Sequence, residues 1–157
     1  MIDGVRIKQL TVHRDIPDTD SASELGYLME IVREDDALLS HFGQSTMTVA
    51  YKGTIKAFHW HKKQDDLWFI ASGTARIVLY DAREDSKTKG ETHVITAGDN
   101  DYKVVLIPRG VVHGYQVLSE EPVILFYHST LQYSPSDPDE ERIPHDDPGI
   151  NFDWGQK

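Results

Sequence analysis

An all-β fold, closed as a small barrel or sandwich, is what this sequence predicts, and three observations carry that expectation. Short runs rich in Val, Ile, Thr, Tyr and Phe recur between residues 5 and 130, with Gly, Pro, Asn and Asp between them. Within several of these runs apolar and polar residues alternate with the period of two that a half-buried strand needs. No stretch keeps a helical period long enough to compete.

Taken in order, residues 5–13 form an opening strand and the polar, Pro-containing 15–23 a loop. Residues 26–32 read as a second strand. Residues 35–42 fit a short helix, because an acidic start suits the N-terminal dipole and Ala37, Leu38 and Phe42 can share a stripe. A strand over 44–51 then meets a turn at Lys52 and Gly53. Over 55–61, strict alternation places Ile55, Ala57, His59 and His61 on one face and Lys56, Phe58 and Trp60 on the other. The runs 67–71 and 74–80 flank Ser72 and Gly73, which predicts a hairpin because Gly supplies positive φ. Residues 81–91 read as a charged, solvated connection. Further strands are expected over 92–96, 102–107, 111–118 and 123–130.

From Ser134 the chain turns rich in Pro, Asp and Glu and cannot build a core of its own. Ile150, Phe152 and Trp154 alternate at its end, so this tail is expected to dock on the barrel. One domain over 1–157 results: N-terminal strands and a short helix over 1–45, the barrel over 46–130 and the docking tail over 131–157.

The balance of 16 Lys and Arg against 26 Asp and Glu gives a formal charge of −10. That disfavours nucleic acid and anionic membrane surfaces as partners, since both need a basic face. A phosphorylated small molecule remains compatible, because a few local cations or N–H groups suffice to hold one. The 157 residues contain no cysteine, which excludes disulfides and thiolate chemistry. Neither a signal-peptide core nor a run of membrane-spanning length is present, and a cytoplasmic location is the expectation.

The chemistry centres on histidine. His13, His41 and His93 are isolated and read as structural residues. His59 and His61 share one face of a strand, and His113 follows a Pro108-x-Gly110 turn, so these three are expected to converge inside the barrel. Trp60, Trp68 and Phe69 read as core or dimer packing, and Arg109 as a candidate phosphate contact.

The spacing His59-x-His61, Asp66, Gly73, Pro108-x-Gly110-x-x-His113 resembles the two cupin motifs, whose histidines and acidic residue bind a metal inside a jelly-roll barrel. Over nearly its whole length the chain is also similar to the dTDP-4-dehydrorhamnose 3,5-epimerase family, a cupin-fold group that works without metal. The likeness rests on residues 26–30, Gln44, Gly53, Lys56 and His59, residues 107–114, Tyr127, Tyr133 and the ending 146–154. It implies a cupin-type double-stranded β-helix, a homodimer and action on a dTDP-linked 4-keto-6-deoxyhexose, as epimerase or ketoisomerase, by proton abstraction next to the keto group. By position His59 falls on the family's catalytic base, Asp147 on the carboxylate that orients it and Tyr127 on the acid across the sugar. If the offset near Glu120 is wrong, Phe126 takes that last position. Gln44, Lys56, His113 and Tyr133 fall on substrate-pocket positions.

Three departures from the family are visible. Leu25 and Lys56 stand where the family has arginines, and Asp66 where it has a pocket lysine. A carboxylate repels a developing enolate where a cation would stabilise it. Asp66 makes more sense as a metal ligand, and with His59, His61 and His113 it would form a three-histidine, one-carboxylate set for a divalent transition metal. The two readings, base and ligand, compete for the imidazole of His59. A third is a sugar-binding cupin without turnover. Strict alternation turns Lys56 away from the His59 face, so if both serve one site either a bulge intervenes or the length of the lysine compensates. The N-terminal strand is expected to add to a partner's sheet edge.

Overall fold

The computed structural model describes residues 1–15 and 25–155. The loop expected over 15–23 therefore falls almost wholly outside the described residues. Twelve strands are described: β1 (Arg6–Gln9), β2 (His13–Asp15), β3 (Gly26–Leu28), β4 (Gln44–Ala50), β5 (Ile55–Trp60), β6 (Asp66–Ser72), β7 (Thr74–Asp81), β8 (Thr92–Gly98), β9 (Lys103–Ile107), β10 (Val111–Val117), β11 (Val123–Ser129) and β12 (Glu141–Arg142). Two five-stranded antiparallel sheets, ordered β1-β9-β6-β11-β4 and β12-β5-β10-β7-β8, pack face to face as a jelly roll, with β2 and β3 pairing separately.

Alternation decides what lies between the sheets. Trp68 and Ile70 of β6, Ala75, Ile77 and Leu79 of β7, Tyr115 and Val117 of β10 and Leu125 of β11 fill one buried cluster. Their neighbours Leu67, Phe69 and Phe126 turn outward, where Leu10 and Leu38 from the N-terminal segment cover them. That cover makes β6 apolar on both faces, so Leu67 to Ile70 reads as a continuous buried run. On the other sheet Phe58, Val78 and Val112 also point outward, against Ile150 and Trp154. The tail thus docks through the alternating residues of its ending, and Trp154 Nε1 donates to the His145 carbonyl.

Four expectations are corrected. The runs on either side of Gly73 form no hairpin: β6 and β7 belong to different sheets, and Gly73, at φ +72°, carries the chain from one to the other. Two short apolar runs joined by Gly fit a crossover as well as a hairpin, and only sheet packing separates the two. The helix expected over 35–42 shrinks to a 3-10 turn, Glu34–Asp36, closed by Ala37 in the left-handed region. A nucleus of a few residues gains little by itself, and burying Leu38 against β6 and β9 stabilises more than extending it. The faces of β5 are corrected where the bulge is described below. Outside these corrections, the N-terminal strand pairs with β9 of its own chain and leaves its other edge open at the margin of the sheet.

The fourth correction is the 81–91 connection, which is anchored. Asp81 is fully buried and accepts from Arg83 Nε at 2.8 Å, Ser86 Oγ at 2.5 Å and Thr88 Oγ1 at 2.6 Å. Burial alone would raise its pKa, but Arg83, Ser86 and Thr88 together hold the carboxyl well below the usual carboxylate range. Asp81→Ala strands these donors and is expected to cost about 3 kcal/mol in urea unfolding at pH 7. Because the folded pKa lies below the unfolded one, this stability is present above about pH 4 and fades as pH falls further. A variant as stable as the parent at pH 7 would show that the loop is merely solvated.

Candidate active site

The chemistry gathers at one end of the barrel, in a cavity of about 1050 Å³ between the sheets, with the tail forming part of its wall. His59 and Lys56 reach it from β5, Asp66 and Trp68 from β6, Tyr115 from β10 and Tyr127 from β11. Both Lys56 and His59 arrive there because β5 is bulged. His113 pairs with His59, yet Tyr115, two residues on, pairs with Lys56, three residues back. One extra residue opposite Gly114 reverses the facing of the strand. Ile55 and Ala57, expected beside His59, instead pack with the outward cluster around Trp154. Lys56 Nζ reaches across to Thr48 Oγ1 at 2.8 Å and the Val49 carbonyl at 3.1 Å.

The three histidines converge as the sequence predicts. Ring centroids lie 4.2 Å apart for His59 and His113, 5.5 Å for His59 and His61 and 5.6 Å for His61 and His113. Trp68 stacks on His59 at 6.0 Å and meets His113 edge-on at 5.1 Å, so this indole is a wall of the site as well as core. Asp66 Oδ2 lies 3.5 Å from His61 Nε2 and 3.7 Å from His113 Nε2. Gln64 Nε2 donates to Asp66 Oδ1 at 2.8 Å and Trp68 Nε1 to Oδ2 at 3.3 Å.

Electrostatics distinguish the members. Burial, followed by the neighbouring His113 and His61, pushes His59 down to about 2, so this imidazole is neutral with a lone pair to offer. Burial opposes charge on His61, but the Asp66 carboxylate and the Asp139 carbonyl outweigh it and raise the group. Burial likewise opposes charge on Asp66, yet His113 and His61 hold its carboxyl below the usual range. Tyr115 is pushed up to about 12, chiefly by burial, and its hydroxyl is enclosed.

The remaining expected residues are distributed as follows. Gln44, Tyr127 and Tyr133 line the cavity, while Phe126 packs on the outer side of its sheet. Gln44 Oε1 accepts from the Tyr133 amide at 3.0 Å and so ties the start of the tail to β4. Asp147 is not among the cavity-lining residues, and its Oδ1 accepts from the amides of Gly149 at 2.8 Å and Ile150 at 3.3 Å in a tail turn. Arg109 is paired with Asp65 through Nε at 3.1 Å and Nη2 at 3.2 Å, and Leu25 is exposed. Sequence reasoning missed Tyr115, Lys63 and Arg142, all of which line the cavity. Alternation from His113 would have found Tyr115, but nothing local marks Arg142, which enters only because β12 pairs with β5.

The comparisons agree with this architecture. The family model described as dTDP-4-dehydrorhamnose 3,5-epimerase matches residues 2–157. The spore coat polysaccharide biosynthesis protein SpsL of Bacillus subtilis is 52% identical over 154 residues, covering 98% of this chain and 97% of its own. A dTDP-4-dehydrorhamnose 3,5-epimerase of Methanothermobacter thermautotrophicus is 31% identical over 159 residues, covering 98% and 80%. Among solved structures, a dTDP sugar isomerase of Desulfovibrio desulfuricans superposes with a TM-score of 0.86 at 26% identity, covering 99% of this chain and 94% of that one. With a jelly roll built around an enclosed imidazole and a family match along almost its entire length, this chain belongs to the dTDP-4-dehydrorhamnose 3,5-epimerase family.

Proposed function

We propose that this chain is an isomerase that epimerises a dTDP-linked 4-keto-6-deoxyhexose by removing and returning a proton next to the keto group. Family membership supports the substrate class. The observation that carries the chemistry is the placement of His59 and Tyr127 on the inner faces of opposite sheets, lining one cavity. A 4-keto group acidifies the neighbouring C–H. The His59 lone pair takes that proton, the C–H electrons become a C=C bond, and the carbonyl pair moves onto oxygen as an enolate. Tyr127 O–H then delivers a proton to the same carbon from the other side, and the carbonyl re-forms with the centre inverted. Lys56, Lys63 and Arg142 are the cations lining the cavity and are the side chains suited to a diphosphate. The test is solvent-deuterium incorporation into such a sugar. Asp147→Asn belongs in the same assay, because Asn keeps the oxygen that caps the turn. A tenfold or greater loss supports an orienting role, and an unchanged rate leaves Asp147 to the turn alone.

A homodimer is part of this reading. β4 is a sheet edge, and Met47 and Val49 on its outer face, with Tyr51 just past its end, are exposed, 56%, 39% and 70% respectively. An apolar stripe beside an open edge favours association. We expect a dimeric mass by light scattering at micromolar concentration, converted to a monomeric one by Val49→Glu with Met47→Lys. A monomeric parent would refute it. No described helix is long and apolar enough to cross a membrane. We place the activity in the cytoplasm, and a chain without cysteine asks nothing of an oxidising compartment.

A further inference from the structure

The wall of the cavity beside the histidines gathers the donor atoms of two imidazoles and a carboxylate. His113 Nδ1 lies 2.8 Å from the Val111 carbonyl, and His61 Nδ1 bonds to the Asp139 carbonyl. A carbonyl oxygen only accepts, so each ring carries its proton on Nδ1 and turns the Nε2 lone pair inward. This is how histidines that bind metals are usually held. Both Nε2 atoms face one oxygen, Asp66 Oδ2, at 3.5 and 3.7 Å. Those separations are beyond a good hydrogen bond. They suit ligands of a shared ion, since two donors about 2.1 Å from a tetrahedral centre sit about 3.4 Å apart.

Two further facts point the same way. His113 Nε2 is buried in a residue only 1% exposed and has no hydrogen-bond partner among the described residues, which is costly for a ring nitrogen. Two ring nitrogens also face a carboxylate that Gln64 and Trp68 hold in place, an arrangement that positive charge between them completes, as a proton on His61 or as an ion. One donor atom from each of His59, His61, Asp66 and His113 lies within 4.8 Å of the others. His59 differs from the other two histidines, because among the described residues no hydrogen bond orients its ring.

We propose that His61 Nε2, His113 Nε2 and Asp66 Oδ2 bind one divalent first-row transition ion, with His59 left beside it as the base. Two histidines and one carboxylate leave coordination positions open toward the cavity. When bound, the ion supplies a Lewis acid for a keto oxygen and takes up the charge of an enolate. That catalytic use rests on the function proposed above, whereas the site itself rests only on its donors.

The experiment uses the full untagged chain, stripped with chelator and titrated with Co²⁺ alone. We expect one ion per chain, a visible ligand-field absorption band and a rise in thermal midpoint. His113→Gln and Asp66→Asn are each expected to weaken binding by 100-fold or more, with circular dichroism showing that the variants remain folded. His59→Asn is expected to keep the ion and lose deuterium exchange. A folded parent that binds no Co²⁺, or binding undiminished in both ligand variants, overturns the site. Loss of the ion from His59→Asn overturns the division of roles. Exchange at full rate without metal in the parent overturns the ion's catalytic use alone, and metal without exchange overturns the reaction alone.

Discussion

Replacing His59 by alanine is expected to lower solvent-deuterium incorporation into a dTDP-4-keto-6-deoxyhexose by about 10²–10⁴-fold, the usual contribution of a positioned general base. The ring lines the cavity, so its removal enlarges an existing space and the variant should fold with little change in thermal midpoint. Tyr127→Phe is expected to separate two steps that His59→Ala removes together. With the phenol absent, His59 still takes a proton and returns a deuteron to the same face, so exchange persists while inversion falls. NMR of the recovered sugar reads both quantities. Exchange in His59→Ala at the parent's rate would move the base elsewhere, and inversion undiminished in Tyr127→Phe would remove the phenol from its role.

Gly114→Ala is expected to damage stability and activity together. A methyl group there would sit 2.3 Å from Ala57 Cβ, 2.7 Å from Ala57 Cα and 2.8 Å from the Lys56 carbonyl. Two of those atoms are backbone, so no rotamer change relieves the clash, and β5 has to move away from β10. The cost is about 3 kcal/mol or more, at the upper end of overpacking, and lowers the thermal midpoint by roughly 6–12 °C for a chain of this size. β5 and β10 carry His59 and His113 as paired residues, so the same displacement opens the site. A misplacement of that size typically costs about 10²-fold in rate. An unchanged midpoint and turnover would mean that the bulge is not the constraint described here.

Much of this molecule was legible in its residues. The ten strands expected before the tail were found near their expected positions, because each is a short β-rich run bounded by turn chemistry, which is local information. The docking of the tail could be read from the alternation of Ile150, Phe152 and Trp154, since apolar residues in a polar segment have to bury somewhere. The meeting of His59, His61 and His113 was also accessible, because period two fixes facing over a few residues.

Facing over a longer span was not. Alternation placed Ile55 and Ala57 with His59 and turned Lys56 away. The register shift opposite Gly114 reversed that, and a bulge is settled by how β5 packs on β10, not by the residues of β5. The same reason governs Gly73, where one glycine serves a hairpin or a crossover and the partner sheets choose. Distances across the chain were equally out of reach: Asp139, 78 residues from His61, supplies the carbonyl that sets its tautomer, and Arg142 reaches the cavity through pairing with β5. The sequence by itself determined which groups were available and which short stretches would be strands. Tertiary structure decided which of those groups meet, because register, crossover and tail placement are fixed by packing between segments far apart in the chain.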